Sequence, residues 1–197
     1  MKINPIEDIQ IKTDRLLLRV LQPADAPKIT RYLADNRDFF IDFLPTVGSD
    51  YFTEQYQINK LWLEFDLMTD QRALRFYLFK KDDYYYDEIL GDIFISNILR
   101  GSSQSCVIGY KTARKHTGRG FMKEALGAAA DYIFNTLGLM RIEANILPDN
   151  TPSLRLVRGL GFAEEGPAYK YMKIRGEWRD HVRFSLINPK IPEENNE

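Results

Sequence analysis

Two glycines spaced one residue apart and flanked by cations, in Lys115-His116-Thr117-Gly118-Arg119-Gly120-Phe121, form the stretch whose residue types best suit chemistry, namely the capture of a phosphate. Bare backbone at Gly118 and Gly120 lets an anion approach the free N–H groups of a first helical turn, where the helix dipole also favours negative charge. Lys115 and Arg119 add cationic side chains. A P-loop would need Gly-x-x-x-x-Gly-Lys-Ser/Thr, and no such run occurs. A dinucleotide fingerprint would need a third glycine at position 123, which is Lys123. A plain glycine-rich turn onto a core helix also accommodates these residues.

Stepping outward, the elements on either side suit a cradle. Ser102 to Lys111 reads as a strand, with Gly109 as a bulge or close-approach point. Phe121, Ala125, Ala129, Ile133 and Leu137 recur at helical spacing, and Gly138 stops that helix. Upstream, Arg15 to Leu21 is a strand, and Pro23 opens a helix carrying Ala26, Ile29 and Leu33 on one face, which Asn36 closes. A loop with Phe39, Phe40, Phe43, Leu44 and Pro45 leads to a second helix over Tyr51 to Met68, then strands over Arg72 to Lys80 and Ile89 to Ile95. Beyond the cradle helix, Met140 to Leu147 is a strand. Thr151 and Pro152 read as the N-cap and first position of a helix striped by Leu154, Val157 and Leu160. A hairpin of Tyr169 to Ile174 and Trp178 to Leu186 ends the pattern. The order β-α-α-β-β-β-α-β-α-β-β predicts an α/β (α+β) fold, a mixed sheet with helices on both faces, in one domain spanning 1–197 with its core at about 13–188 and a mobile polar tail over 189–197.

Composition narrows the function classes. The 197 residues are 44% hydrophobic and 28% charged with net charge −1, so nothing attracts nucleic acid in general and direct binding to it is not expected. No apolar run approaches the ~20 residues that span a bilayer, so no membrane association is expected. Met1 to Asp8 has neither an apolar core nor a basic amphipathic character, which predicts no targeting segment and a cytoplasmic location. Cys106, the one cysteine, excludes an internal disulfide and a cysteine-based zinc cluster, and its apolar strand suits a buried structural thiol. His116 and His181 lack metal-ligand spacing and read as surface or hydrogen-bonding residues, so no metal is expected.

The element order resembles the Gcn5-related N-acetyltransferase (GNAT) fold across nearly the whole chain. The cradle is similar to that family's Gln/Arg-x-x-Gly-x-Gly/Ala pattern for acetyl-coenzyme A, with Lys115 at the first position. Asn150-Thr151-Pro152-Ser153, Leu160-Gly161-Phe162 and Glu165-Gly166 resemble the segment of the branch that acetylates ribosomal-protein amino termini. Thr13-Asp14-Arg15-Leu16, Asn36-Arg37-Asp38-Phe39, Phe94-Ile95-Ser96-Asn97, Arg100-Gly101-Ser102 and Gly176 to Val182 are similar to the ribosomal-protein alanine N-acetyltransferase type.

The resemblance implies strands that splay at the acetyl-CoA site, with the pantetheine arm along Ile108, Gly109 and Tyr110 and the pyrophosphate on Lys115 to Phe121. It implies Ser153 as the proton donor to the thiolate, since the tyrosine that many relatives use is replaced by Val157, and Asn150 as an amide that orients pantetheine. Some relatives carry a glutamate base where Asn145 stands; Glu143, two residues earlier on the same strand face, is the candidate here. The implied acceptor is the amino terminus of a ribosomal protein, alanine first. Acetylation of a small amine or aminoglycoside-like metabolite is the enzymatic alternative, and a CoA-binding ribosome-assembly factor the non-enzymatic one. Tyr84-Tyr85-Tyr86, among Asp82, Asp83, Asp87 and Glu88, reads as an acceptor entrance or as a solvated loop.

Overall fold

The computed structural model describes residues 9–190; the acidic end of the expected tail and the amino-terminal stretch read for targeting lie outside them. Eight strands form one sheet in the order β1-β2-β3-β4-β5-β6-β8-β7. These are β1 (Gln10–Lys12), β2 (Leu16–Arg19), β3 (Leu74–Lys80), β4 (Gly91–Leu99), β5 (Ser105–Thr112), β6 (Arg141–Ile146), β7 (Ala163–Ile174) and β8 (Glu177–Ile187). All neighbours are antiparallel except β5 and β6. The helices are α1 (Ala26–Asp35), α2 (Arg37–Phe40), α3 (Glu54–Thr69), α4 (Phe121–Asn135) and α5 (Thr151–Arg158). Besides shifts of a few residues at strand and helix ends, three elements differ from the expectation. β1 is an added three-residue edge strand, α2 is a single turn within the expected loop, and β7 begins at Ala163 rather than Tyr169. Each is too short, or too polar along its exposed face, to show a period in sequence.

Strand alternation sorts the sheet into two faces. Leu74, Phe76 and Leu78 of β3, Ile93 and Ile95 of β4, Cys106 and Ile108 of β5, and Ile142 and Ala144 of β6 share one apolar core with Ala125, Ala129 and Ile133 of α4 and Val157 of α5. The opposite face carries Tyr77 and Phe79 against Ile29, Leu33, Phe40 and Leu61 of α1 to α3. It also holds a buried ion network: Glu64 accepts from Arg75 at 2.8 Å, and Asp92 pairs with both Arg75 and Lys111 at 2.6 Å and accepts from the Tyr32 hydroxyl at 3.1 Å. Burial opposes the Asp92 charge, but Lys111 and Arg75 outweigh it and hold the carboxyl below its ordinary range.

Candidate functional site

β5 and β6 run parallel only through Ser105–Arg141, Cys106–Ile142 and Val107–Glu143. β5 then continues on β4 to Thr112, and β6 continues on β8 to Ile146. The edges of 108–112 and 144–146 share no ladder, so a wedge opens between two strands that each keep an outer partner. Ile108, Gly109 and Tyr110 lie along one side of it. Of the two readings of Gly109, the bulge is not realised, since it pairs in regular register with Phe94; a Cβ there would meet nothing within 4 Å, which leaves room for a close approach. The Tyr110 hydroxyl lies 3.5 Å from the Ser153 carbonyl, and burial pushes its phenol up to about 12, so it stays protonated.

At the top of β5 the chain makes a short 3-10 turn, Arg114–His116, before α4. Gly118 and Gly120 adopt left-handed φ values of 72° and 77°, which few other residues take without strain. No side chain caps α4, so its first N–H groups stay available, and a Cβ at Gly118 would meet nothing within 4 Å. The turn is anchored from the β1–β2 connection. Glu124 accepts from the Thr13 hydroxyl at 2.5 Å and from Arg15 Nε at 2.6 Å, while Arg15 Nη1 donates to the Arg119 carbonyl at 3.2 Å and its guanidinium covers the Phe121 ring. Arg15 was not among the candidate site residues; its signal in sequence was the Thr13-Asp14-Arg15-Leu16 opening. Thr117 hydrogen-bonds back to the Arg114 carbonyl at 2.9 Å. Lys115 and His116 both bind Glu88, His116 through Nε2 at 2.9 Å, and His116 is buried.

The N-cap of α5 is Asn150, not Thr151. Its Oδ1 accepts from the Ser153 N–H at 3.2 Å, because an Asn side chain reaches the third helical N–H while Thr151 is already in the first turn. Asn150 thus caps the helix through the Ser153 N–H, and among the described residues no hydrogen bond holds the Ser153 hydroxyl. Glu143 sits at the last paired level of β5 and β6 with its carboxylate on Arg141 Nε at 2.8 Å. Arg141 also grips Glu165, which accepts from Ser185 at 2.7 Å; these hydrogen bonds push Glu165 down to about 2. Burial, with Glu143 nearby, pushes Cys106 up to about 12, which makes it an inert core thiol.

α4 and α5 close one face of the wedge; the other face lies under a bridge. The segment after α2 reaches the tip of the β7–β8 hairpin, where Thr46 N–H donates to the Lys173 carbonyl at 2.9 Å, Gly176 N–H to Thr46 Oγ1 at 2.9 Å, and Arg175 to Asp42 at 2.8 Å. The loop thus joins the helices packed on β3 to the hairpin of β7 and β8, with β5 and β6 between them in the sheet order. Tyr84 and Tyr85 are far from this bridge in contact, standing in solvent in the β3–β4 connection, while Tyr86 packs on Phe79. Among the described residues no cluster of three metal-ligating side chains occurs, and no helix is long and apolar enough to cross a membrane.

Comparison with known proteins gives this geometry a family. The Acetyltransferase (GNAT) domain model matches residues 15–163. The chain is 35% identical to the [ribosomal protein uS5]-alanine N-acetyltransferase of Escherichia coli over 93% of both chains. A ribosomal-protein-S5-alanine acetyltransferase from Vibrio fischeri superposes with a TM-score of 0.87 at 28% identity, covering 94% of this chain and all of that one. RimJ of Mycobacterium smegmatis, solved with CoA-disulfide, gives 0.83 at 28% identity over 90% of this chain and 84% of that one.

Proposed function

The chain belongs to the GNAT acetyltransferase family, and on that premise we propose that it is a cytoplasmic acetyl-coenzyme A-dependent N-α-acetyltransferase whose acceptor is the amino-terminal alanine of a ribosomal protein. The acceptor half of this reading is carried by one observation, the similarity to the uS5-alanine enzyme along essentially the full length of both proteins. The donor half is supported by the wedge and the cradle. The coenzyme pyrophosphate sits on the backbone N–H groups of residues 118–123, with Arg119 beside it and Lys115 and His116 bracing the turn through Glu88. Pantetheine lies along Ile108, Gly109 and Tyr110, where a backbone N–H polarises the thioester carbonyl.

The Asn150 side chain, its oxygen used as a cap, keeps its NH₂ to orient pantetheine. The amine attacks the thioester carbon, the C–S bond breaks, and the unheld Ser153 hydroxyl gives its proton to the departing thiolate, regaining one from the amine nitrogen as the amide forms. No covalent enzyme intermediate is needed.

An acetyl-transfer assay compares peptides beginning Ala, Ser and Met with polyamines and aminoglycosides. Preferred transfer to the Ala peptide is expected. Selective transfer to polyamines or aminoglycosides would overturn the acceptor assignment, and coenzyme A binding without turnover on any amine would leave only a coenzyme-binding assembly factor.

A further inference from the structure

The side of the wedge beneath the bridge holds an imidazole that the steps above do not use. Odd-numbered residues of β6 and β8 point to the same face as Gly109, since their even neighbours Ala144, Ile146, Val182 and Phe184 pack toward α4 and α5. On that face Asn145 is the first β6 residue beyond the last pair with β5. Its Nδ2 donates to the Tyr171 hydroxyl at 3.0 Å, while its Oδ1 is buried without a hydrogen-bond partner. The Tyr171 ring packs on His181 with centroids 5.0 Å apart. His181 is 4% exposed, and its Nδ1 lies 3.2 Å from the Arg179 carbonyl. A carbonyl can only accept, so Nδ1 carries the proton and Nε2 the lone pair.

We propose that His181 is the proton acceptor for the incoming amine, with Tyr171 and Asn145 positioning it at the wedge. This rests on acetyl transfer to an amine and is independent of which amine that is. The bound ammonium loses one proton to Nε2, and its freed lone pair forms the C–N bond. The C–S bond breaks and the second nitrogen proton reaches the thiolate by way of Ser153. The imidazolium returns its proton to solvent, so one proton is released per turnover. Glu143 is a poorer acceptor, since Arg141 already holds its carboxylate. Burial lowers the His181 pKa, keeping the ring neutral near pH 7; the charged groups around it are Arg179 and Asp149, which pair at 2.9 Å, Asp180, which takes the Lys170 N–H at 2.7 Å, and Arg183, which acts on Tyr171.

The test compares wild type with His181→Gln across pH on whichever acceptor the wild type acetylates, with coenzyme A affinity measured in parallel. A lost general base costs roughly 100-fold in kcat/KM at pH 7. The deficit should shrink to under about tenfold once the pH exceeds the acceptor amine's own pKa, which for an α-amine titrating at about 7.7–8.0 means above pH 9, with coenzyme affinity unchanged. A deficit that is the same at every pH, or none, would overturn the proposal. Should the variant not fold, nitrogen NMR of the wild type decides, because the chain has only two histidines. A neutral ring at pH 7 protonated on Nδ1 is expected; an imidazolium, or a ring protonated on Nε2, would overturn it.

Discussion

The two sides of the β5–β6 wedge are built from different materials. On the side proposed for the donor the available groups are backbone: the edge of β5 and the N–H groups above Gly118 and Gly120, which stay open because no side chain caps α4. Side chains there act from behind, as Arg15 and Glu124 do on the turn. On the side proposed for the acceptor the available groups are side chains from β6, β7, β8 and the loop after α2, over a floor of buried charge. A backbone site tolerates most substitutions that leave its conformation alone and fails at the residues that set it. A side-chain site can be retuned residue by residue, which suits a fold that keeps one donor and changes its acceptor.

The sharpest break of this contrast is Gly118→Glu. The open space at that position spares the fold all but the left-handed backbone cost of about 1–2 kcal/mol. The carboxylate then occupies the pyrophosphate position, so calorimetry should find no coenzyme A binding in a folded protein; unchanged affinity would show the cradle to be misassigned. Next comes the floor of the acceptor side. Asp92→Asn strips the buried Lys111 of its carboxylate and leaves Arg75 only Glu64, which should cost about 3–5 kcal/mol in chemical denaturation. Because the Asp92 pKa is lowered in the folded state, its contribution is present at neutral pH and fades as pH falls below the unfolded value of about 4, so the two proteins should converge in acid. Ser153→Ala should lower kcat by roughly 10- to 100-fold with coenzyme A affinity unchanged; an unchanged rate would remove it as the donor. Smallest is Thr46→Ala, which loosens the bridge by about 1 kcal/mol and should raise KM for peptide acceptors several-fold with little change in kcat.

The same contrast governs what could be read in sequence. Gly118 and Gly120, the strand before them and the helix after them are contiguous, so the cradle was legible, as was the two-faced sheet from its alternating runs. The fold implied by the family motifs also holds, down to the splay of β5 and β6. The proposed acceptor side was legible only at Asn145, through the family resemblance; Tyr171 and His181 come from strands whose register no local pattern specifies. Asp42, Thr46 and Arg175 meet across more than 120 residues of chain. The Asn150 cap was missed for a smaller reason: Asn-Thr-Pro offers two capping residues in a row, and only the turn geometry chooses between them.

The most direct measurement is a crystal structure with coenzyme A and an alanine-initiated peptide bound together. Pyrophosphate is expected on the N–H groups above Gly118, pantetheine between 108–110 and 144–146, and the peptide amine on the Gly109 and Asn145 side, under the bridge. Coenzyme bound elsewhere, or a peptide amine reaching the thioester from the α4 and α5 side, would contradict this arrangement.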